Sequence, residues 1–256
     1  MILFNQIIFG PVKSRRLGVS LGVNLLPTDA KICTFDCIYC ECGFNTTVKD
    51  SRLPKRDEVY KALEAKLQEM KAQNELPDVI TFAGNGEPTL HPDFEFIIDD
   101  TIALRNQYCP DAKVSVLSNS TRMHKENIKK ALLKVDNNIL KFDTAFDDTL
   151  RKLDRPVSST FNVAWQVAEL KKFEGNLIIQ TMFLKGENKG EWIDNTTDEE
   201  VTAWLEIVKD INPKQVMIYT IDRETPVKAL QKISVEALNS IADRVREAGL
   251  DVTVSG

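Results

Sequence analysis

From Lys55 to Gln73 the apolar residues Val59, Leu63, Leu67 and Met70 recur at helical spacing, the pattern of a helix with one buried face. Asp78 to Ala83 is a short, β-rich apolar run that stops at Gly84-Asn85-Gly86, as a buried strand does on entering a tight turn. The alternation continues. Helices are predicted near Asp93 to Gln107, Lys125 to Leu133, Val163 to Phe173, Asp198 to Lys209 and Val235 to Ala248. Strands are predicted at Lys113 to Leu117, Ile139 to Phe142, Asn176 to Phe183, Gln215 to Thr220 and Asp251 to Val254. Ahead of them Gly18 to Leu26 reads as extended, and Pro27-Thr28-Asp29 turns it into a cysteine-bearing loop. Strand and helix in repeated alternation with short connections mean an α/β fold with a parallel sheet and helices outside it. About six such units are present, fewer than the eight that close a full barrel, so a partly open barrel is expected. No repeat, low-complexity stretch or linker marks a second domain, and one domain over 1–256 is the expectation. Gly186 to Thr197 reads as a long polar loop, either a lid or partner contact or a surface loop without a role.

Composition narrows the class. Hydrophobic residues make up 43% and charged residues 28%, enough apolar surface for a core and too little bias for disorder. A formal net charge of -5 gives no large basic field, which disfavours nucleic-acid binding driven by bulk charge. The start, Met1 to Phe9, is apolar but short and meets Gly10-Pro11 before any cleavage pattern, so no secretory signal is expected. No apolar run reaches membrane-spanning length, so no membrane partner is expected. Of the five cysteines, four fall within ten residues, which suits metal binding in a reducing, cytoplasmic compartment better than a disulfide framework.

The cysteine run is Cys33-Thr34-Phe35-Asp36-Cys37-Ile38-Tyr39-Cys40, a C-x3-C-x2-C spacing in a loop after a strand. Three neighbouring thiolates can each hold one iron of a cubane, leaving the fourth iron open to a ligand. Two other readings stay open. Cys42 could complete four thiolates around zinc, or Cys37 and Cys40 could form a redox dithiol, although that motif opens a helix in a shorter fold and has no need of Cys33. Cys109, beside Pro110, reads as structural, and Cys42 as a loop thiol unless it exchanges with a ligand.

With an aromatic residue, Tyr39, just before the last cysteine, this loop resembles that of the radical S-adenosylmethionine (SAM) superfamily. The resemblance implies a partial (β/α)6 radical SAM barrel, with a [4Fe-4S] cluster on Cys33, Cys37 and Cys40 in a loop at about 30–43. It also implies SAM chelated at the open iron, reductive cleavage to methionine and a 5′-deoxyadenosyl radical, and hydrogen abstraction from an unknown substrate. A reductant such as flavodoxin or ferredoxin follows as a partner. The second matching segment is Thr81-Phe82-Ala83-Gly84-Asn85-Gly86-Glu87-Pro88-Thr89-Leu90-His91-Pro92, at a predicted strand end. It resembles the family's Gly-Gly-Glu segment, with Asn85 where some members have glycine, and it implies that Gly84, Asn85, Gly86 and Glu87 hold the SAM amino group. Alone, such a turn is more often structural; behind a C-x3-C-x2-C loop and a helix it carries weight.

The family pattern further implies SAM contacts at Ser118, Asn119 and Asp143, and at Arg155 as a forked donor to the carboxylate. The competing readings are a helix cap for Ser118 and Asn119 and a surface ion pair for Arg155. Gln180 and Thr181 interrupt an apolar strand and must find partners; they, and more weakly Tyr219 and Asp222, are candidates for the cavity wall. His91 reads as part of a turn and His124 as a surface residue, and two histidines make no metal triad. Arg15-Arg16 is either an anion site or a solvated basic turn. With the glycine segment and the cysteine loop, this amino-terminal stretch resembles small, mostly uncharacterised radical SAM proteins with one cluster. Two further functions stay open: a radical-installing activase of a partner protein, and a non-catalytic zinc or iron–sulfur scaffold.

Overall fold

The computed structural model describes residues 2–14 and 17–256; the twin arginines Arg15 and Arg16 lie outside them. Strand β1 (Ile8–Ser14) pairs antiparallel with β2 (Gly18–Val23). Then follow α1 (Arg56–Gln73), β3 (Val79–Phe82), a single 3-10 turn at Pro88–Leu90, α2 (Phe94–Tyr108), β4 (Lys113–Ser118), α3 (Glu126–Lys134) and β5 (Asn137–Lys141). Two short helices, α4 (Asp147–Leu153) and α5 (Val163–Lys171), lead to β6 (Ile178–Met182). A small meander comes next, β7 (Leu184–Asn188) and β8 (Glu191–Asp194), then α6 (Asp198–Ile211), β9 (Gln215–Tyr219) and β10 (Leu230–Lys232). The chain finishes with α7 (Val235–Glu247) and β11 (Val252–Ser255).

The main sheet runs β1-β2-β3-β4-β5-β6-β9-β11, and every pairing after the first is parallel. Its central strands are buried on both faces: all four residues of β3 and all five of β6 are buried, as strands covered by helices on one side and the barrel interior on the other must be. β2 and β11 are not paired with each other, so the sheet curls without closing, the partial (β/α)6 barrel that the six units predict. Helix ends are capped locally. Thr197, Asn162 and Ser234 accept from the amides of Glu200, Trp165 and Ala237, and at α1 the Glu58 carboxylate accepts from the Lys55 amide (2.7 Å). The core is continuous from Leu21 and Val23 through Phe82, Phe94 and Phe142 to Trp204 and Val245.

The structure departs from the sequence reading in three places. Gly186 to Thr197 is not an open loop: β7 and β8 form a hairpin in it, and β10 adds a third antiparallel strand on β7. Buried Asn195 ties this sheet to the barrel, with Nδ2 donating to the carbonyls of Asp143 (3.0 Å) and Met182 (2.7 Å) and Oδ1 accepting from the Leu184 amide (2.9 Å). β1 is an additional antiparallel edge strand, and α4 fills part of the loop before Asp154-Arg155-Pro156.

Candidate functional site

Five parallel strands deliver side chains to one cavity at their carboxyl ends, the side of a barrel on which strand-end loops converge. Gly84, Gly86 and Glu87 follow β3; Leu117, Ser118 and Asn119 end β4; Lys141 ends β5; Gln180 and Met182 come from β6 and Tyr219 from β9. The cysteine loop covers this end and adds Lys31, Cys33, Phe35, Cys37, Tyr39 and Cys40 to the lining of a cavity of about 260 Å³. A larger cleft of about 750 Å³, lined by Arg122, His124, Phe161 and Trp165, lies across Thr34 from it and receives none of the three cysteines.

The loop is held from both flanks. On one side Ile32 bridges to Gly86, with the Ile32 amide donating to the Asn85 carbonyl (3.0 Å) and the Glu87 amide donating to the Ile32 carbonyl (3.2 Å). On the other, the Asp36 amide donates to the Asp154 carbonyl (3.0 Å), the Ile38 amide donates to the Leu153 carbonyl (3.0 Å), and Phe35 bridges to Pro156. Its neck is closed by Lys31 and Thr46, each of whose amides finds an acceptor on the other residue.

Glu87 is buried and takes four hydrogen bonds, three on one oxygen and one on the other. Oε1 accepts from the Thr89 amide (3.1 Å), the Thr89 hydroxyl (2.5 Å) and the Ser118 hydroxyl (2.9 Å), and Oε2 from the Asn119 amide (2.7 Å). Burial pushes its carboxyl pKa up, and these donors pull it partly back. Ser118 and Asn119 therefore serve Glu87 rather than capping α3, whose N-cap is Lys125 and has no side-chain cap. Asn119 Nδ2 also donates to the Cys33 sulfur (3.3 Å) and to Thr34 Oγ1 (2.8 Å). Asn85 faces the other way: its side chain joins the Phe4 backbone and the Pro27 carbonyl in the interior. Gly84 and Gly86 have φ of +148° and +134°, and neither has room for a side chain: a Cβ on Gly84 would lie 2.8 Å from Asn24 Cγ, and one on Gly86 would overlap the Ile32 carbonyl.

A second buried network lies behind Cys37. The Tyr39 hydroxyl donates to Asp143 Oδ2 in a short hydrogen bond and lies 3.0 Å from Asp154 Oδ1. Lys141 Nζ donates to the Tyr39 hydroxyl and to Asp143 Oδ2 (3.1 Å), and it lies 4.7 Å from the Tyr39 ring centroid. Asp143 Oδ1 accepts from the Met182 amide (2.9 Å), and Cys37 donates to Asp154 Oδ1 (3.3 Å). Asp154 Oδ2 is buried and has no partner among the described residues. Burial, followed by the Asp143 charge, pushes Asp154 up to about 8. Burial likewise raises the Tyr39 hydroxyl, with the two carboxylates adding to it. Burial lowers Lys141 most strongly of any single cause, but Asp143, Tyr219, Cys37 and Asp154 together outweigh it and the net shift is upward.

The thiols are not alike. Burial, followed by Glu87, pushes Cys33 up to about 12, and burial also raises Cys37. Cys40 falls to about 6 because the Cys42 thiol hydrogen-bonds to it and Lys31 faces it. Cys42 itself is pushed up as the donor of that pair, and its sulfur also lies 3.3 Å from the Gly84 carbonyl.

Arg155 pairs with Asp36 (3.3 Å) and sits over the Phe44 ring (4.9 Å); it braces the loop from outside and does not line the cavity. Gln180 and Tyr219 line the cavity; Thr181 instead donates to the Phe142 carbonyl, and Asp222 is not in the lining. His91 holds the Pro54 carbonyl through Nε2 and the Asp93 amide through Nδ1, the turn role read from the sequence. His124 is exposed and lies edge-on to Trp165, and Cys109 is in the core. The sequence reading passed over Lys31, whose only local signal is a lysine two residues before Cys33.

The residues present suit an iron–sulfur cube better than a single ion. Three thiols line one cavity, an amide donates to one of their sulfurs, and glycine backbone forms the opposite wall. Among the described residues no three Cys, His, Asp or Glu side chains converge closely enough to hold one metal ion. Among the described residues no helix is long and apolar enough to cross a membrane.

The family model described as the radical SAM superfamily matches residues 29–196. A UPF0026 protein of Methanocaldococcus jannaschii is 28% identical over 92% of this chain and 70% of its own length. A UPF0026 protein of Helicobacter pylori is 32% identical over 91% of this chain and 71% of its own. Among solved structures, a radical SAM methyltransferase from Sphaerobacter thermophilus superposes with a TM-score of 0.68 at 14% identity, covering 92% of this chain and 65% of that one. Streptococcus suis SuiB bound to S-adenosylmethionine superposes with a TM-score of 0.65 at 16% identity, covering 92% of this chain and 50% of that one. The chain thus spans about two thirds and one half of these two neighbours.

Proposed function

The chain belongs to the radical SAM superfamily and is an enzyme; from this premise we propose that it binds a [4Fe-4S] cluster through Cys33, Cys37 and Cys40 and cleaves SAM beside it. The observation that carries the reading is that the three thiols of the C-x3-C-x2-C loop and the Gly84–Glu87 turn face one another across a single cavity. When bound, the cluster and SAM supply an electron and a 5′-deoxyadenosyl radical for hydrogen abstraction.

The chain's own residues do the rest. The bridge between Ile32 and Gly86 fixes the thiols against the strand ends. Gly84 and Gly86 leave backbone exposed at the wall, so that the SAM amino group can approach it closely. Glu87, aimed by Thr89, Ser118 and the Asn119 amide, presents an acceptor on the same wall. Asn119 donates to the Cys33 sulfur, which stabilises negative charge there. Lys141 lies between Tyr39 and Asp143 at the cavity floor and offers a cation to an anionic group of SAM or substrate. Asp143, whose two oxygens are taken by Tyr39, Lys141 and the Met182 amide, acts by orienting Tyr39 and Lys141, and Arg155 acts by bracing Asp36 in the loop. Gln180, Met182 and Tyr219 form the side open to substrate, and a flavodoxin or ferredoxin supplies the electron.

The test is anaerobic reconstitution with iron and sulfide. About four irons per chain, and reductant-dependent formation of methionine and 5′-deoxyadenosine, are expected for the wild type. Both products should be lost in Cys37→Ala. A single bound zinc, or product formation by the variant, refutes the assignment.

A further inference from the structure

Lys31 is only 2% exposed, and its ammonium enters the site from the neck of the cysteine loop. Nζ donates to the Gly43 carbonyl (2.6 Å), and Lys31 and Cys40 line the same cavity. A buried ammonium requires a compensating anion. The nearest carboxylate, Asp36, is 4.0 Å away and is already engaged by the Asn45 amide (2.7 Å) and by Arg155 (3.3 Å). Cys33, Cys37 and Cys40 line the same cavity as the ammonium, and all three act on it electrostatically. Among the described residues its one ion pair, with Asp36, is therefore long and shared with Arg155, and the cation faces the cavity that the three sulfurs line.

We propose that Lys31 is a positioning residue whose fixed positive charge sets the reduction potential of the cluster. The inference rests on the cluster assignment above. Reduction adds one negative charge to a group that is already anionic with three thiolates, and a buried cation on the wall of the same cavity favours the more negative state. Lys31 thus holds the potential higher than this apolar, buried loop would otherwise set it, within reach of a biological one-electron donor. The contact with Gly43 also pins the loop, so a purely structural role is the rival explanation.

Charge and pinning separate in two variants. Lys31→Arg keeps the charge and alters the shape; Lys31→Gln keeps a donor and removes the charge. After anaerobic loading, the midpoint potential is read by dye-mediated titration with the EPR signal of the reduced cluster. At a fixed poise the reduced-to-oxidised ratio of Lys31→Gln should fall about tenfold, a shift of about 59 mV to more negative potential for one electron, while Lys31→Arg should stay near the wild type. If Lys31→Gln takes up no iron, full loading of Lys31→Arg still supports a role for the charge. Failure of both variants to load assigns Lys31 to pinning and overturns the proposal, as does a loaded Lys31→Gln with wild-type potential. A wild-type chain that takes up no iron refutes the cluster assignment itself.

Discussion

Replacing Gly86 by alanine places a methyl group where the cysteine loop passes the end of β3. The new Cβ would lie 2.5 Å from the Ile32 carbonyl carbon and closer still to its oxygen. Both are backbone atoms of the bridge that carries Cys33, so no side-chain rotation relieves the overlap. The position also has φ +134°, which alanine adopts only under strain of about 1–3 kcal/mol. Moving Ile32 away weakens the Glu87-to-Ile32 hydrogen bond, worth about 1 kcal/mol. Together these give a loss of roughly 2–4 kcal/mol, read as a lower denaturant midpoint at unchanged slope. The functional effect is larger than the energetic one, because the shift acts on Cys33 directly: iron uptake should drop well below that of the wild type. Gly190→Ala is the control. It also has positive φ (+83°), but nothing lies within 4 Å of the new atom, so it should cost only about 1–2 kcal/mol and load iron fully. If Gly86→Ala binds as much iron as Gly190→Ala and is no less stable, the account of how the loop is seated is wrong.

Tyr39→Phe removes the donor shared by Asp143 and Asp154, leaving two buried carboxylates short of a partner; a loss of about 1–3 kcal/mol is expected in urea unfolding. Trp204→Phe loses the indole donor to the Phe142 carbonyl and Thr181 Oγ1 and opens a small void, for about 1–3 kcal/mol by the same measurement, with iron uptake unchanged. Glu58, held by the Arg52 guanidinium and the Lys55 amide, has its pKa lowered to about 2. Its contribution to the first turn of α1 is therefore complete above the unfolded-state value of about 4.3 and is lost as the pH falls through about 2. An NMR titration of Glu58 with a midpoint near 4 would contradict this.

The β/α alternation was legible because each helix keeps one apolar stripe and each inner strand is apolar on both faces, as α1 and β3 illustrate. The β7–β8 hairpin escaped because Glu187, Lys189, Glu191 and Trp192 are exposed, so no inward-outward alternation marks it. The cysteines and the glycine turn are local words and could be read as such. Tyr39 and Asp143 could be singled out one at a time, but nothing local joins them to each other or to Lys141 and Asp154: the hydrogen bonds from Tyr39 to these residues cross 102 to 115 residues of chain. Lys31 was illegible for the opposite reason, since an isolated lysine in a loop is ordinarily solvated, and only the closure of the loop over Gly43 buries it.

The double strapping of the cysteine loop bears on biosynthesis. Ile32 docks on a turn made soon after it, but Asp36 and Ile38 wait for Leu153 and Asp154, which emerge from the ribosome much later. A nascent chain that ends before α4 carries all three thiols yet lacks half of the frame that sets their spacing. On the proposed cluster assignment, iron delivery is expected to wait for the released or nearly released polypeptide, and a stalled chain ending at Lys141 should not retain a cluster.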